Sequence, residues 1–258
     1  MNYQFDHLVL MARDQILAIS NQLAKLGFNL TQLSKHNLGS SNQLCMLDST
    51  YLEVLGWEYG TVPQRKEIAD LAIGLDALVF KTNDAEQCFN YLKQAGFDPN
   101  PIQDLSRPAL VNELIQTALF KTVRFSVQPI TGLRIYFCEH LTPDYLWFDQ
   151  VTKHPNGKNH LQEIVIASPD PEHTTDLLHR LLDIAMPQSL KNSEYLMDLS
   201  NCVLRIKPAV TLTVPHIEEV RISTIKVNTA ANSKNSNLDQ STQDLVINRN
   251  FFVTDWDN

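Results

Sequence analysis

Phe5-Asp6-His7-Leu8-Val9-Leu10-Met11 is the stretch against which the rest of the chain can be aligned. It is apolar almost throughout, which is typical of a β-strand covered on both faces. The His7 imidazole stands in its middle. A helical run follows, from a predicted N-cap at Asp14 to a C-terminal Gly27, and a later apolar strand reads Tyr51-Leu52-Glu53-Val54-Leu55-Gly56. Further short strands are predicted between the helix and the strand that begins at Tyr51, so the first part of the chain is predicted to form a β-α-β-β-β unit.

Composition limits the classes of protein to consider. The 258 residues are enough for a sizeable core in one domain or two. The hydrophobic share of 43% and the charged share of 19% are typical of a globular protein. A net charge of −8 without a basic run argues against a nucleic-acid partner. No apolar run approaches the ~20 residues that cross a bilayer, so no membrane association is expected.

The chain carries few markers of export or of common catalytic motifs. Its N-terminus lacks the charged and apolar regions of a signal peptide. The four cysteines have no CxxC spacing and predict buried reduced thiols in a cytoplasmic protein: Cys45, Cys88, Cys138 and Cys202. The sequence has no glycine-rich phosphate loop, GxSxG or HExxH. The usual sequence markers of nucleotide-dependent chemistry and of serine hydrolysis are therefore missing, so neither activity is favoured.

Internal repetition is the strongest pattern in the sequence. The first module spans about 5–57, and a second spans about 74–140. Leu75-Asp76-Ala77-Leu78-Val79-Phe80 can be laid over the opening stretch, with Ala77 in the place of His7. The second module therefore has no donor side chain at that position.

Two further modules follow with weaker patterns. The third spans about 159–208, with His160 at the place matched to His7 and Arg205 at the place matched to Glu53. The partial fourth module spans about 215–254. Where its helix should come, residues 229–240 are too polar to bury a face and are predicted to form a loop.

Together these patterns predict an α+β protein of repeated βαβββ modules, three complete and one degenerate. The modules are expected to form paired cupped mixed β-sheets with helices outside. Residues 1–150 would form a first paired domain, and residues 151–258 a second, degenerate domain. Whether modules pair within one chain or across a homodimer is left open.

The residues at the two ends of the first module resemble the vicinal oxygen chelate superfamily, the glyoxalase and bleomycin-resistance group. Asp-His-Leu-Val begins the module and Tyr-Leu-Glu-Val ends it. The segments 105–108, 122–125, 139–147 and 154–157 are similar to the glyoxalase-like domain subgroup, and the resemblance covers about 5–208. It implies that the first and last strands of each module supply side chains to a cupped site, often around a divalent metal ion.

His7 and Glu53 are the predicted metal ligands, because imidazole nitrogen and carboxylate oxygen suit a divalent ion. The last strand of the second module offers Glu139 or His140. Neighbouring strand residues point to opposite faces, so at most one of the two faces the cup. Glu139 is favoured as the third ligand, on the expectation that Phe137 shares its face and lines a pocket. The alternative for His7 is a core histidine hydrogen-bonded to backbone.

Other side chains are candidates for catalysis or substrate binding. Glu139, His140 and His154 could transfer protons near neutral pH, although His154 could instead belong to a His-Pro-Asn-Gly turn. Two guanidinium groups could clamp a carboxylate or phosphate, or could form internal salt bridges with Glu53 or Glu139. The predicted substrate-binding residues are Arg107, Arg124, Phe137, Trp147 and Asn156.

The first functional hypothesis is a metal-dependent lyase, isomerase or dioxygenase that acts on a small oxygenated organic molecule. The second is a metal-free binding protein of the bleomycin-resistance type that uses the same cup. In a third, side chains fill the cup and the repeats serve as a scaffold. The identity of the metal, and its presence, are left open.

Overall fold

The computed structural model describes residues 3–224 and 244–251. Within them the strands are β1 (Gln4–Arg13), β2 (Ser34–Lys35), β3 (Ser41–Met46), β4 (Tyr51–Gly56), β5 (Gly74–Lys81), β6 (Gln103–Val111), β7 (Leu114–Val123), β8 (Arg134–His140), β9 (His160–Ser168), β10 (Tyr195–Asp198), β11 (Val203–Pro208), β12 (His216–Ser223) and β13 (Leu245–Asn248). The α-helices are α1 (Ile16–Lys25), α2 (Lys66–Ala69), α3 (Ala85–Gln94), α4 (Asp149–Thr152) and α5 (Pro171–Leu181). None of these helices has the length and apolar character needed to cross a membrane.

The first eight strands form one mixed sheet in the order β2-β3-β4-β1-β5-β8-β7-β6. β1 lies in its middle, parallel to β4 and antiparallel to β5. Phe5, Leu8 and Leu10 pack into the core on the helix side, whereas Val9 and Met11 pack into a second core inside the curved sheet. The apolar run of β1 is thus explained by burial on both faces.

The two edges of this sheet meet at a seam between β2 and β6. The Ser34 hydroxyl donates to the Pro108 carbonyl at 2.6 Å, and the Asn37 amide donates to the Ser106 carbonyl at 2.9 Å. The sheet therefore curls into a nearly closed barrel, whose interior is called the cup below. The first of the short strands predicted between α1 and β4 is reduced to the two residues Ser34–Lys35 of β2.

Helices α1 and α3 lie on the outer face of the sheet. The Asp84 carboxylate accepts from the Gln87 amide, so Asp84 is the N-cap of α3. The Asp14 cap is wrong, because the N-cap residue is Gln15 and makes no side-chain cap bond. Gly27 has φ +86°, the left-handed conformation predicted for the end of α1.

The second sheet has the order β10-β11-β9-β12-β13. In the first module His7 pairs with Tyr51, and in the third Glu163 pairs with Val203 at the start of the matching strand. Glu163 rather than His160 therefore occupies the position of His7. Arg205 does occupy the position of Glu53, and its Nε lies 2.8 Å from Glu163 Oε1. A salt bridge thus replaces the histidine and glutamate of the first module.

The predicted fold class of repeated βαβββ modules is confirmed. The hairpin of β6 and β7 was only partly foreseen, since no strand was predicted over 103–111. The predicted loop at 229–240 lies outside the described residues. The division into domains at residue 150 stays a prediction.

Candidate active site

The cup is lined by polar side chains from both of the first two modules. About 20 Å³ inside it is open to the centre of a water molecule, which is room for about one water. The ionisable and hydrogen-bonding groups that line it are His7, His36, Asn42, Tyr51, Glu53, Arg65, Arg107, Thr122, Arg124, Tyr136 and Cys138.

A β-bulge in β1 places two ionisable residues side by side. Phe5 pairs with Phe80 and His7 pairs with Val79, so Asp6 is an extra residue on its strand. The Asp6 carboxylate is fully buried and lies 2.6 Å from His7 Nδ1. A second imidazole, that of His140, lies 2.9 Å from the same carboxylate. The bulge thus gives His7 an anionic partner next to it in the chain.

The other ring nitrogen of His7 faces the carboxylate of the first module's last strand. His7 Nε2 lies 3.4 Å from Glu53 Oε2 and 3.3 Å from the Tyr136 hydroxyl. The Asn42 amide donates to Glu53 Oε1 at 2.8 Å, and Tyr51 stacks on the imidazole at 4.3 Å between ring centres. His7 and Glu53 therefore converge inside the cup, and a buried chain runs Glu53, His7, Asp6, His140.

These contacts favour charged forms despite burial. Burial disfavours the His7 imidazolium, but hydrogen bonds to Asp6 and Glu53 outweigh it and raise the pKa of His7. Burial also disfavours the charged forms of the Asp6 and Glu53 carboxylates. His140 and His7 nevertheless hold the pKa of Asp6 well below its usual range, and His7, His36 and Asn42 do the same for the pKa of Glu53. The two carboxylates thus favour the imidazolium form of His7.

His36 lies on the other side of Glu53 in a different protonation state. Its Nε2 is 3.9 Å from Glu53 Oε1, and its Nδ1 is 2.9 Å from the Ser40 hydroxyl. Burial lowers the pKa of His36 to about 4, an effect that Glu53 only partly offsets and that Arg107 reinforces. His36 is therefore neutral at pH 7 and can accept or donate a hydrogen bond.

Three guanidinium groups give the cup a positive lining. Arg65 pairs with the exposed Glu67 at 2.8 Å. Among the described residues, no carboxylate lies within 4 Å of Arg107 or Arg124, so the alternative of internal salt bridges is wrong. Arg107 donates to the Pro108 carbonyl at 3.1 Å, and Arg124 lies 5.0 Å above the Tyr136 ring. Both retain donors for an anion.

The predicted face of β8 is wrong. Phe137 packs into the core on the helix side, and the Glu139 carboxylate accepts from the Ala85 amide at 2.9 Å, at the first turn of α3. Tyr136 and Cys138 face the cup instead. His140 is on their side of the strand, where its ring packs 5.1 Å from that of Trp147. Neither Glu139 nor Phe137 can therefore reach a ligand in the cup.

The predicted residues of the linker have structural contacts outside the cup. His154 Nδ1 accepts from the Asn29 amide at 3.0 Å, and its Nε2 donates to the Met46 carbonyl at 2.7 Å. Burial lowers the pKa of His154. Asn156 donates to the Leu26 carbonyl at 2.8 Å and so anchors the linker to the end of α1. Trp147 packs against Tyr51 in the core inside the curved sheet, but it is not among the residues that line the open space of the cup.

The donor set at the predicted metal position does not suit a divalent ion. His7 and Glu53 supply two donors, whereas the matching positions of the second module are Ala77 and Tyr136, the latter a phenol whose pKa is raised by burial and by Glu53. The positive lining of the cup is a further obstacle to a cation.

A different group brings three candidate ligand atoms within 4.8 Å of one another. It consists of Asp6, Cys138 and His140, and it is the one such group within the described residues. Burial, followed by the charge of Asp6, raises the pKa of the Cys138 thiol well above its usual value. The Asp6 and His140 atoms already lie at hydrogen-bond distance. The group is arranged as a hydrogen-bonded cluster, although it has the number of donors that an ion requires.

Sequence reasoning missed several polar residues of the cup. Tyr136 could have been found from the repeats, since the β1–β4 and β5–β8 registers place it where Glu53 stands in the first module. Asp6 stood beside His7 in the quoted stretch, but regular alternation would have turned it away. His36 and Arg65 lie in connecting segments and Asn42 lies near the start of β3, and no sequence pattern marked any of the three as a residue of the cup.

Comparison with known proteins agrees with this architecture. A family model described as a glyoxalase-like domain matches residues 5–182. No curated protein matches the sequence. A solved structure of a hypothetical protein from Staphylococcus aureus is similar with a TM-score of 0.61 and 13% identity, over 83% of this chain and 88% of that one. A mutant of 4-hydroxymandelate synthase from Streptomyces coelicolor is similar with a TM-score of 0.51 and 14% identity, over 84% of this chain and 70% of that one.

Proposed function

This chain belongs to the glyoxalase-like domain family, and on that premise we propose that its cup catalyses proton transfer on a small oxygenated molecule that carries a carboxylate. The observation that carries the proposal is the convergence of His7 Nε2 and Glu53 Oε2, 3.4 Å apart. They face a cup that also holds two guanidinium groups without a carboxylate partner within the described residues. An isomerase or a lyase fits this arrangement better than a dioxygenase.

Arg107 and Arg124 are the proposed anchors for the substrate carboxylate. Arg107 is buried and Arg124 is half-buried, and burial lowers the pKa of both without removing the charge of a group that stays protonated in proteins. An anion in the cup would offset the cost of holding these charges away from water. Guanidinium donors near the reacting carbon would also stabilise negative charge that develops on an adjacent oxygen.

Glu53 is the proposed base and His7 the proposed acid. The Glu53 carboxylate removes a proton from the carbon next to the substrate carbonyl, and the C–H electron pair forms a carbon–carbon double bond. The carbonyl oxygen takes the proton of the His7 imidazolium, which yields an enol. Return of a proton to a different carbon or face completes an isomerisation, and expulsion of a leaving group completes an elimination. Asp6 holds the His7 ring in place and favours its protonated form.

Exchange of substrate hydrogen with solvent tests this assignment without knowledge of the natural substrate. A panel of small 2-oxo and 2-hydroxy carboxylates is incubated with the protein in D₂O, and loss of the C–H signal is followed by proton NMR. We expect Glu53→Gln to slow exchange by about 10²–10⁴-fold, the usual contribution of a general base. Glu172→Gln, on the exposed surface of α5, is the matched control. Exchange at the full rate in Glu53→Gln would refute the proposal.

A metal-dependent reaction is the second candidate, favoured by the Asp6, Cys138 and His140 group. An ion held there would act as a Lewis acid toward substrate oxygens. Elemental analysis of protein purified without chelator decides between the candidates. A stoichiometric divalent ion that is lost in Cys138→Ser supports this candidate, and its absence supports metal-free proton transfer.

The metal-free binding alternative makes a different prediction in the same experiments. A binding protein would be stabilised against heat by organic anions but would exchange no substrate hydrogen. The NMR assay and a thermal shift screen with the same panel separate a binding cup from a catalytic one.

A further inference from the structure

A groove outside the cup follows the seam between β2 and β6. Residues 30–35 form one wall, residues 107–115 form the other, and residues 145–151 from the linker close one end. This seam groove has a volume of about 570 Å³. Ligand pockets for small molecules span roughly 300–1,000 Å³, so the groove is large enough for the bulk of an organic ligand.

The walls of the seam groove combine apolar side chains with polar ones, among them Lys35, Asn112 and Glu113. Leu33 is 44% exposed, Leu110 is 40% exposed and Ile115 is 79% exposed. Leu30, Phe148 and Val151 complete the apolar lining. Apolar side chains gathered in one exposed concave surface indicate a binding site more strongly than the same residues scattered singly.

Arg107 connects the seam groove with the cup. Arg107 lines both cavities and is buried, and no carboxylate within the described residues lies within 4 Å of its guanidinium. A bound anion at this guanidinium would therefore meet the cup on one side and the apolar groove on the other. The free volume of the cup is about 20 Å³, so the cup must widen to admit the reacting end of a substrate, and the hydrocarbon tail is left to the much larger groove.

We propose that the seam groove binds the hydrocarbon tail of an amphipathic monocarboxylate whose head group lies at Arg107. This inference rests on the proposed function and narrows its substrate class from small carboxylates in general to those with an apolar tail. The charge at one end of the groove and the apolar walls beyond it are complementary to such a molecule. A short, purely polar substrate would leave the groove walls in contact with water.

A homologous series of linear carboxylates tests the proposal. Butanoate, hexanoate, octanoate and decanoate are titrated into the full chain by calorimetry, below the concentrations at which they form micelles. Each buried CH₂ group contributes about 0.8 kcal/mol, so Kd should fall about fourfold per added CH₂ until the groove is filled. Octanol, which lacks the charge, should bind at least tenfold more weakly than octanoate.

Two variants locate the site. Arg107→Met should weaken binding of every carboxylate by about 10-fold or more and leave octanol unaffected. Because Arg107 is buried, its replacement could unfold the protein, so a second variant changes exposed side chains. Leu33→Ser combined with Ile115→Ser should flatten the dependence of Kd on chain length while butanoate binds as before. Arg180→Met, an exposed arginine on α5, is the control and should change nothing.

The outcomes separate this inference from the proposed function. A Kd that is independent of chain length, or a chain-length dependence that is unchanged in Leu33→Ser/Ile115→Ser, overturns the assignment of the groove. Glu53→Gln should keep the chain-length dependence while it loses hydrogen exchange. If Glu53→Gln keeps full exchange, the catalytic assignment fails even where the groove binds as proposed.

Discussion

Replacement of Asp6 by Asn is the perturbation whose effect the structure defines best. The carboxylate is fully buried and contacts His7 Nδ1 at 2.6 Å and His140 Nε2 at 2.9 Å. Asn keeps the shape but removes the charge between two imidazoles. Removing one partner of a buried ion pair costs about 3–5 kcal/mol. The free energy of unfolding should therefore fall by about 3–5 kcal/mol, and Tm by about 10 °C.

The pH dependence of this loss distinguishes an ion pair from simple packing. The pKa of His7 is raised in the folded protein, so its pairing stabilises the fold fully below the unfolded pKa of about 6.5 and loses that effect as pH rises through the folded pKa. The stability difference between Asp6→Asn and the original protein should therefore be largest near pH 6. It should narrow as the pH rises past the folded pKa of His7.

Urea unfolding followed by circular dichroism at several pH values between 6 and 9 measures both effects. Asp149→Asn is the control, because that carboxylate is 83% exposed and its pairing with Lys153 on the surface should contribute little to stability. A loss below 1 kcal/mol in Asp6→Asn, or a loss that does not change with pH, would refute the assignment of a buried carboxylate between two imidazoles.

Two further substitutions test the environment of the cup and the corrected face of β8. The pKa of His36 is lowered to about 4 in the folded protein. The fold should therefore lose stability as the pH falls from about 6.5 toward 4, because the unfolded chain binds the proton more readily than the folded protein does. His36→Gln should remove about 3 kcal/mol of this acid-dependent loss in urea titrations at pH 7, 5 and 4. An acid sensitivity identical to that of the original protein would contradict a buried neutral His36. Glu139→Ala should cost about 1 kcal/mol by removing an acceptor at the start of α3, while carboxylate binding in calorimetry stays the same. Weaker carboxylate binding in Glu139→Ala would place that side chain in the cup after all.

Sequence periodicity was sufficient for the repeats but not for the faces of a strand buried on both sides. In β8, Ile135, Tyr136, Phe137 and Cys138 are all buried. Alternation can assign a face only where one face is apolar and the other polar, and this strand offers no such contrast. The choice between Glu139 and His140 therefore depended on which layer each face meets.

The roles of the charged residues in the cup also could not be predicted from the local sequence pattern. Arg107 and Arg124 were candidates for anion binding or for internal salt bridges, and only the distances to surrounding carboxylates separate the two. His36 and Arg65 reach the cup from segments that flank the strands. Their contribution depends on contacts between residues distant in the chain, which no window of sequence reports.

The sequence by itself determined the βαβββ repeats, because apolar runs and the turns between them mark the strands, whereas the convergence of His7 with Glu53 was implied by the resemblance of the module's two ends to the vicinal oxygen chelate superfamily. Only the tertiary structure decided the bulge that brings Asp6 to His7, the face of β8 and the groove at the β2–β6 seam. These features arise where the sheet curls and its edges meet. Their energies come from packing and charge between residues far apart in the chain, so they leave no periodic signal in the sequence.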